Sequence, residues 1–228
     1  MEEITFITED GVKISGNYFK PKKEHAPVFL LLHMMPSTKE SWNEFAARLQ
    51  EKGFAVLAID LRGHGSSTDK NGSKLDYKEF KDHEHRESMK DIAAAKEFLK
   101  GQTNVDISRM AIAGASIGAN LALWQASIDK DVSLLVLLSP GLNYRGIQAA
   151  QLAPQYSGPV YILASVGDTN AAQSSRELFE IFPGDKELKI IQGNSHGTNM
   201  FIQEPDLIDK LLEWATKKNK LKMFFLNF

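Results

Sequence analysis

The 228-residue chain contains no cysteine. That absence excludes a disulfide framework, a thiolate metal site and a cysteine nucleophile together. An excess of one charge is missing too: 27 basic side chains face 29 acidic ones, a net charge of −2. No basic footprint for nucleic acid or an anionic membrane surface results. Apolar runs are short. Runs such as LLVLL at 134–138 fall far below the roughly 20 residues of a membrane-spanning helix. The opening MEEITFITEDG carries acids where a secretory leader carries Lys or Arg before an apolar stretch. Repeats, low-complexity tracts and Pro/Ser-rich linkers are also lacking, so residues 1–228 read as one domain. The expectation is a soluble, cytoplasmic protein without nucleic-acid or membrane partners.

What is present is an ordinary globular composition, 43% hydrophobic and 25% charged. Ile4 and Phe6, then Val12 and Ile14, alternate around Glu9-Asp10-Gly11 as a two-stranded lead-in. From Pro27 onward, continuous apolar runs at 28–32, 54–59, 110–113, 132–138 and 160–164 suit strands buried on both faces. Helical patterns at 40–52, 84–100, 117–127 and 174–182 separate them. A last strand is expected at 188–191 and a terminal helix at 205–217. This alternation predicts an α/β fold: a mostly parallel, doubly wound sheet of about eight strands with an antiparallel N-terminal pair. Sites in such sheets lie at the carboxyl ends of strands.

One post-strand segment is sharp. Residues 110–113 run into Gly114-Ala115-Ser116-Ile117-Gly118 and then into a helical pattern. That is G-x-S-x-G between strand and helix, the context of a nucleophile elbow. The turn is so tight that positions two before and two after the serine tolerate only small residues. The competing reading, a helix whose N-cap is Ser116, gains nothing from the partners found downstream. A serine hydroxyl needs a histidine to take its proton, and the histidine needs a carboxylate to fix its tautomer. Asp168 is the first acid directly after a later strand run, and His196 is the only histidine C-terminal to Ser116. Ser, Asp, His is the corresponding chain order.

With Leu31-Leu32-His33, Asp60-Leu61-Arg62-Gly63-His64-Gly65-Ser66, the elbow, Gly167-Asp168 and His196-Gly197 in this order, the chain resembles the α/β-hydrolase superfamily from about Val12 to Lys217. Within it, the chain is similar to small lidless serine esterases related to dienelactone hydrolase. Two departures stand out. Dienelactone hydrolases proper use a cysteine nucleophile, and the glycine common after the third-strand histidine is Met34 here. The resemblance implies an oxyanion hole from the backbone N–H groups of Ile117 and Met35. It also implies that His33 organises the loop rather than moving protons. Met34 is expected to avoid positive φ and to wall an acyl pocket with Met35. Lidded relatives insert a helical cap between the sixth strand and the acid-bearing strand. Here residues 139–158 hold only a short helical stretch at 144–152, so no substantial cap is expected.

The resulting expectation is a carboxylesterase acting on small or short-chain esters, with no metal or organic cofactor called for. A thioesterase or small-peptide hydrolase needs the same triad, and a non-catalytic binding protein could keep the fold. Asp60 and Asp185 are rivals to Asp168; the first precedes the serine and the second sits in a turn composition. His64 reads as structural and His25 as a loop residue. His83 and His85 are two apart on a helix and face differently, so with Glu84 they form a solvated helix start rather than a metal cluster. Met200 and Trp42 suit packing as well as a pocket, and Trp124 and Trp214 suit the core. The apolar stretch 223–228 is expected to dock on its own domain or on a second copy of the chain.

Overall fold

The computed structural model describes residues 1–226, with side chains through residue 219. The alternating lead-in forms β1 (Glu2–Ile7) and β2 (Val12–Phe19), with Phe6 opposite Ile14. Gly11 closes their turn at φ +82°, a conformation cheap for glycine alone. The continuous apolar runs become β3 (Ala26–Leu32) and β4 (Ala55–Ile59), each buried at every position. Two-residue strands β5 (Asp69–Lys70) and β6 (Ser73–Lys74) form a small hairpin. Then come β7 (Val105–Ala115), β8 (Val132–Leu138), the two-residue β9 (Asn143–Tyr144) and β10 (Ile147–Gln148), β11 (Val160–Ser165) and β12 (Lys186–Ile191).

The main sheet runs β12-β11-β8-β7-β3-β4-β2, with β1 and the β5–β6 hairpin both attached to β2. From β4 to β12 all pairings are parallel, while β2 is antiparallel to β4 and β1. Eight full strands with an antiparallel N-terminal pair match the expected sheet. The two miniature strands raise the count to ten.

Helices cover both faces: α1 (Asn43–Glu51), α2 (Asp82–Arg86), α3 (Met89–Lys100), α4 (Ile117–Ile128), α5 (Ala149–Leu152), α6 (Thr169–Ile181), α7 (Asn199–Gln203) and α8 (Asp206–Leu226). Side chains alternate across β3 accordingly. Val28, Leu30 and Leu32 join the core shared with α3, α4 and α6, while Phe29 and Leu31 join the one shared with α1 and α8. The connections leave β3 toward β4 on one side and toward β7 on the other. That reversal opens a crevice at the carboxyl ends of β3 and β7.

Two helical expectations change. Residues 84–100 divide into α2 and α3 at Glu87 and Ser88, although buried His85, Ser88, Ile92, Ala95 and Leu99 keep helical spacing across the break; His85 packs on Phe80. Residues 144–148 form a hairpin rather than a helix. Arg145 (φ 52°) and Gly146 (φ 78°) both adopt left-handed conformations, the requirement of a tight two-residue turn. The segment between β8 and β11 thus holds only this hairpin, α5 and a 3-10 turn at Ala153–Gln155, in keeping with a fold without a substantial cap. Among the described residues no helix is long and apolar enough to cross a membrane. Side chains of the apolar stretch 223–228 lie outside the described residues.

Candidate active site

Ser116 sits between β7 and α4 at φ 55°, ψ −121°. A non-glycine residue held there is strained, and such strain persists only where the surroundings over-determine it. Here they do. A Cβ on Gly114 would lie 2.1 Å from the Gly118 carbonyl oxygen, and one on Gly118 would lie 2.4 Å from that of Leu32. Both glycines are therefore required by backbone contact. The Ser116 N–H donates to Leu138 O at 2.8 Å, so the turn is tied to β8 while its hydroxyl stays partly exposed at the start of α4. A helix N-terminus favours developing negative charge nearby.

Asp168 ends the turn after β11 and immediately precedes α6. His196 follows β12 in a turn containing Gly193 (φ 97°) and Gly197 (φ 56°). The two turns are stitched together, because Gly167 N–H donates to Gly193 O at 2.7 Å. The result is a hydrogen bond from His196 Nδ1 to Asp168 Oδ2 at 2.6 Å. It fixes which imidazole nitrogen faces away from the acid. His196 remains 34% exposed. Asp60 and Asp185 are placed elsewhere. Asp60 is fully buried, accepting from Lys39 Nζ at 2.9 Å and Ser66 N–H at 3.0 Å. Asp185 lies exposed at the opposite end of β12.

The loop after β3 is held by His33. The Leu61 N–H donates to its Nε2 at 3.0 Å, which places the ring proton on Nδ1, and that donates to Met34 O at 2.9 Å. Neutral His33 thus clamps the loop to the DLRGHGSS segment. That segment is itself locked by Arg62, whose Nε donates to Asp91 at 2.9 Å and whose Nη1 donates to Asp10 at 3.0 Å. Burial, with His64 beside it, pushes His33 down to about 4; burial and the Arg145 charge do the same to His85. An unfolded histidine protonates near 6.5, so between these values the unfolded chain binds more protons and the fold loses stability as pH falls. Thermal midpoints should therefore drop between about pH 6.5 and 4, and less steeply in His33→Asn. Equal slopes for wild type and variant would contradict the clamp.

Met34 does not adopt positive φ, as expected. Its side chain, expected as a pocket wall, is only 7% exposed and packs beneath the histidine turn. A Cβ on Gly197 would lie 2.5 Å from its Sδ, so the thioether fills the space that glycine leaves. Met35 is half-buried against the α4-side core. Among the described residues, neither the Met35 nor the Ile117 N–H donates to another protein group. Gly118 brings the start of α4 against Leu32 and His33, the start of the Met35 loop. Trp42 and Met200 are fully buried. His83 is exposed while His85 is buried, which separates them. Trp214 packs edge-on against Tyr161, and Trp124 is half-buried.

Two residues escape sequence reasoning. Ser139, at φ 49°, directly follows β8 and accepts the Gly197 N–H on its Oγ at 3.0 Å, bracing the histidine turn. Tyr144, in the unexpected hairpin, is half-buried against the core shared with α4. Burial and the Asp168 charge keep the phenol protonated above its usual range. Among the described residues no hydrogen bond joins Ser116 to His196; in free enzymes such contacts are often loose. The arrangement offers a presented hydroxyl, an imidazole oriented by a carboxylate, and two undonated amides. Those are the parts of acyl transfer.

Comparison with known proteins bears on the fold and the family. The chain is 31% identical over 134 residues to a bifunctional esterase/perhydrolase of Acinetobacter calcoaceticus, covering 58% of this chain and 42% of that one. It spans less than half the length of that relative and of several others it matches. The fold is similar to an esterase of Pyrococcus furiosus, with a TM-score of 0.76, 19% identity, and coverage of 95% and 91% of the two chains. It is also similar to a dienelactone hydrolase of Anabaena variabilis, with a TM-score of 0.67, 20% identity and 95% coverage of each. Residues 23–152 match the family described as serine aminopeptidase, S33. The chain belongs to that family of α/β hydrolases.

Proposed function

We propose that the protein is a serine hydrolase that cleaves small or short-chain carboxylic esters through an acyl-enzyme. The observation that carries this reading is the 2.6 Å bond between His196 Nδ1 and Asp168 Oδ2 beside a strained, presented serine. Ser116 Oγ attacks the ester carbonyl as its proton passes to His196 Nε2. The carbonyl oxygen becomes an oxyanion, met by the N–H groups of Ile117 and Met35. As the C–O bond to the alcohol breaks, His196 returns the proton to the departing oxygen. The same imidazole then takes a proton from water, whose oxygen attacks the acyl carbon and frees Ser116. Asp168 holds the ring and its charge throughout. Met34 supports the histidine turn from below.

The substrate class rests on how little covers the site. The hairpin and α5 between β8 and β11 leave His196 a third exposed, and a long acyl chain finds no cap to lie against. Each methylene gains about 0.8 kcal/mol only where apolar protein surface receives it. Across a series of p-nitrophenyl esters, kcat/KM is expected to peak at two to four acyl carbons and to fall beyond about eight, the methylene gain being absent there. A maximum at long chains would contradict the open-site reading. The esterase/perhydrolase relative supports ester chemistry.

A further inference from the structure

The turns that carry Ser116, Asp168 and His196 leave the carboxyl ends of three different strands, β7, β11 and β12. β8 lies between β7 and β11 in the sheet, and its end reaches all three turns. Leu138 O accepts the Ser116 N–H at 2.8 Å. The Ser139 N–H donates to Leu163 O at 2.8 Å, on the strand that leads to Asp168. Ser139 Oγ accepts the Gly197 N–H at 3.0 Å, next to His196. Of these three bonds only the last is made by a side chain, so it alone depends on residue identity. The Gly197 N–H belongs to the peptide unit that joins it to His196. The carbonyl of that unit, His196 O, accepts the Asn199 N–H at 3.2 Å. Held at both ends, the unit fixes the direction in which the His196 side chain leaves the backbone. Sideways play is closed off as well, because a Cβ on Gly197 would lie 2.5 Å from Met34 Sδ and 3.2 Å from the Ala115 Cβ. Ser139 itself is fully buried at φ 49°, a strained conformation for serine that glycine adopts at lower cost. What serine adds there is its hydroxyl.

We propose that Ser139 is a positioning residue whose Oγ, through the Gly197 N–H, aims the His196 imidazole for proton transfer from Ser116. The proposal rests on the serine-hydrolase reading above. Asp168 holds Nδ1 of the ring and so sets its tautomer. A single bond at Nδ1 leaves the ring able to swing about that contact. Pinning the His196–Gly197 peptide removes the swing at the end of the ring that takes the Ser116 proton. Ser139 touches no reacting atom, and its hydroxyl accepts the same N–H throughout the reaction. Without it the buried Gly197 N–H loses its acceptor, and the peptide turns toward another. Misplacement on the order of 1 Å costs about 10²-fold in rate. Substrate binding does not involve this bond, so the loss falls on kcat.

The test follows p-nitrophenyl butyrate hydrolysis, and the rate at which a fluorophosphonate labels Ser116, in wild type, Ser139→Ala, Ser139→Gly and Ser116→Ala. Each is assayed well below its thermal midpoint. Alanine removes the acceptor and keeps the backbone strain; glycine removes the acceptor and relieves the strain. Both Ser139 variants are expected to lose about 10- to 100-fold in kcat, with KM changed less than about 3-fold. Labelling of Ser116 should slow in proportion. If Ser139 mattered only for local structure, glycine would match or exceed wild type. Wild-type kcat in Ser139→Gly, or a loss carried by KM, would therefore overturn the proposal. Ser116→Ala keeps the two readings apart: turnover surviving in that variant, or wild type that takes no label at Ser116, overturns the serine-hydrolase reading itself and Ser139's role with it.

Discussion

Ser116→Ala is expected to lower kcat on a short ester by about 10⁴-fold or more while leaving the thermal midpoint nearly unchanged. The two halves of this expectation have separate causes. Alanine keeps the Cβ that already tolerates φ 55°, so the elbow gains no new strain. Ser116 is partly exposed, so little stability depends on its hydroxyl. The chemistry depends on it wholly, because neither His196 nor the amides can form the covalent intermediate. A variant retaining more than about a tenth of wild-type turnover contradicts the assignment, since triad losses run far larger.

The second large effect is structural in origin. In Gly118→Ala the new Cβ would meet Leu32 O at 2.4 Å, His33 O at 2.6 Å and the Leu32 carbonyl carbon at 2.8 Å. All three are backbone atoms at the end of β3, so no flexible side chain can yield. The start of α4 must move away from β3. Overpacking of this kind costs about 1–3 kcal/mol or more. The same movement draws the Ile117 N–H away from the Met35 loop, and loss of one oxyanion donor costs about 10²–10³ in kcat. Gly101→Ala is the control, because its nearest contact is Phe98 O at 3.3 Å and its φ is −72°. Chemical denaturation should show a clear loss for Gly118→Ala and a much smaller change for Gly101→Ala. Equal stabilities would contradict the close approach of helix to strand.

The reading from sequence succeeded where a residue type has one physical use. Continuous apolar runs such as 28–32 have nowhere to go but a sheet buried on both faces. Gly114 and Gly118 flank Ser116 because backbone passes through the space a side chain would fill. The pairing of Asp168 with His196 follows from chain order, and the structure joins the two by a hydrogen bond. The failures lie where conformation depends on distant contacts. Helical propensity across 144–148 is overridden by left-handed Arg145 and Gly146, whose turn is held by Arg86 from α2, while 149–152 does form α5. No local pattern marks Ser139 as the acceptor for the Gly197 N–H. Met34 was legible as an oddity in its loop. That its side chain fills the space above Gly197 required the fold.

Whether Ser116 is the nucleophile activated by His196 is decided by intact-mass spectrometry after exposure to a fluorophosphonate. Wild type is expected to gain one adduct, located by peptide mapping to Ser116, as esterase activity disappears in parallel. Ser116→Ala should gain none, and His196→Ala should react slowly. Full labelling of Ser116→Ala, or inactivation of wild type with the adduct on another residue, would contradict the claim.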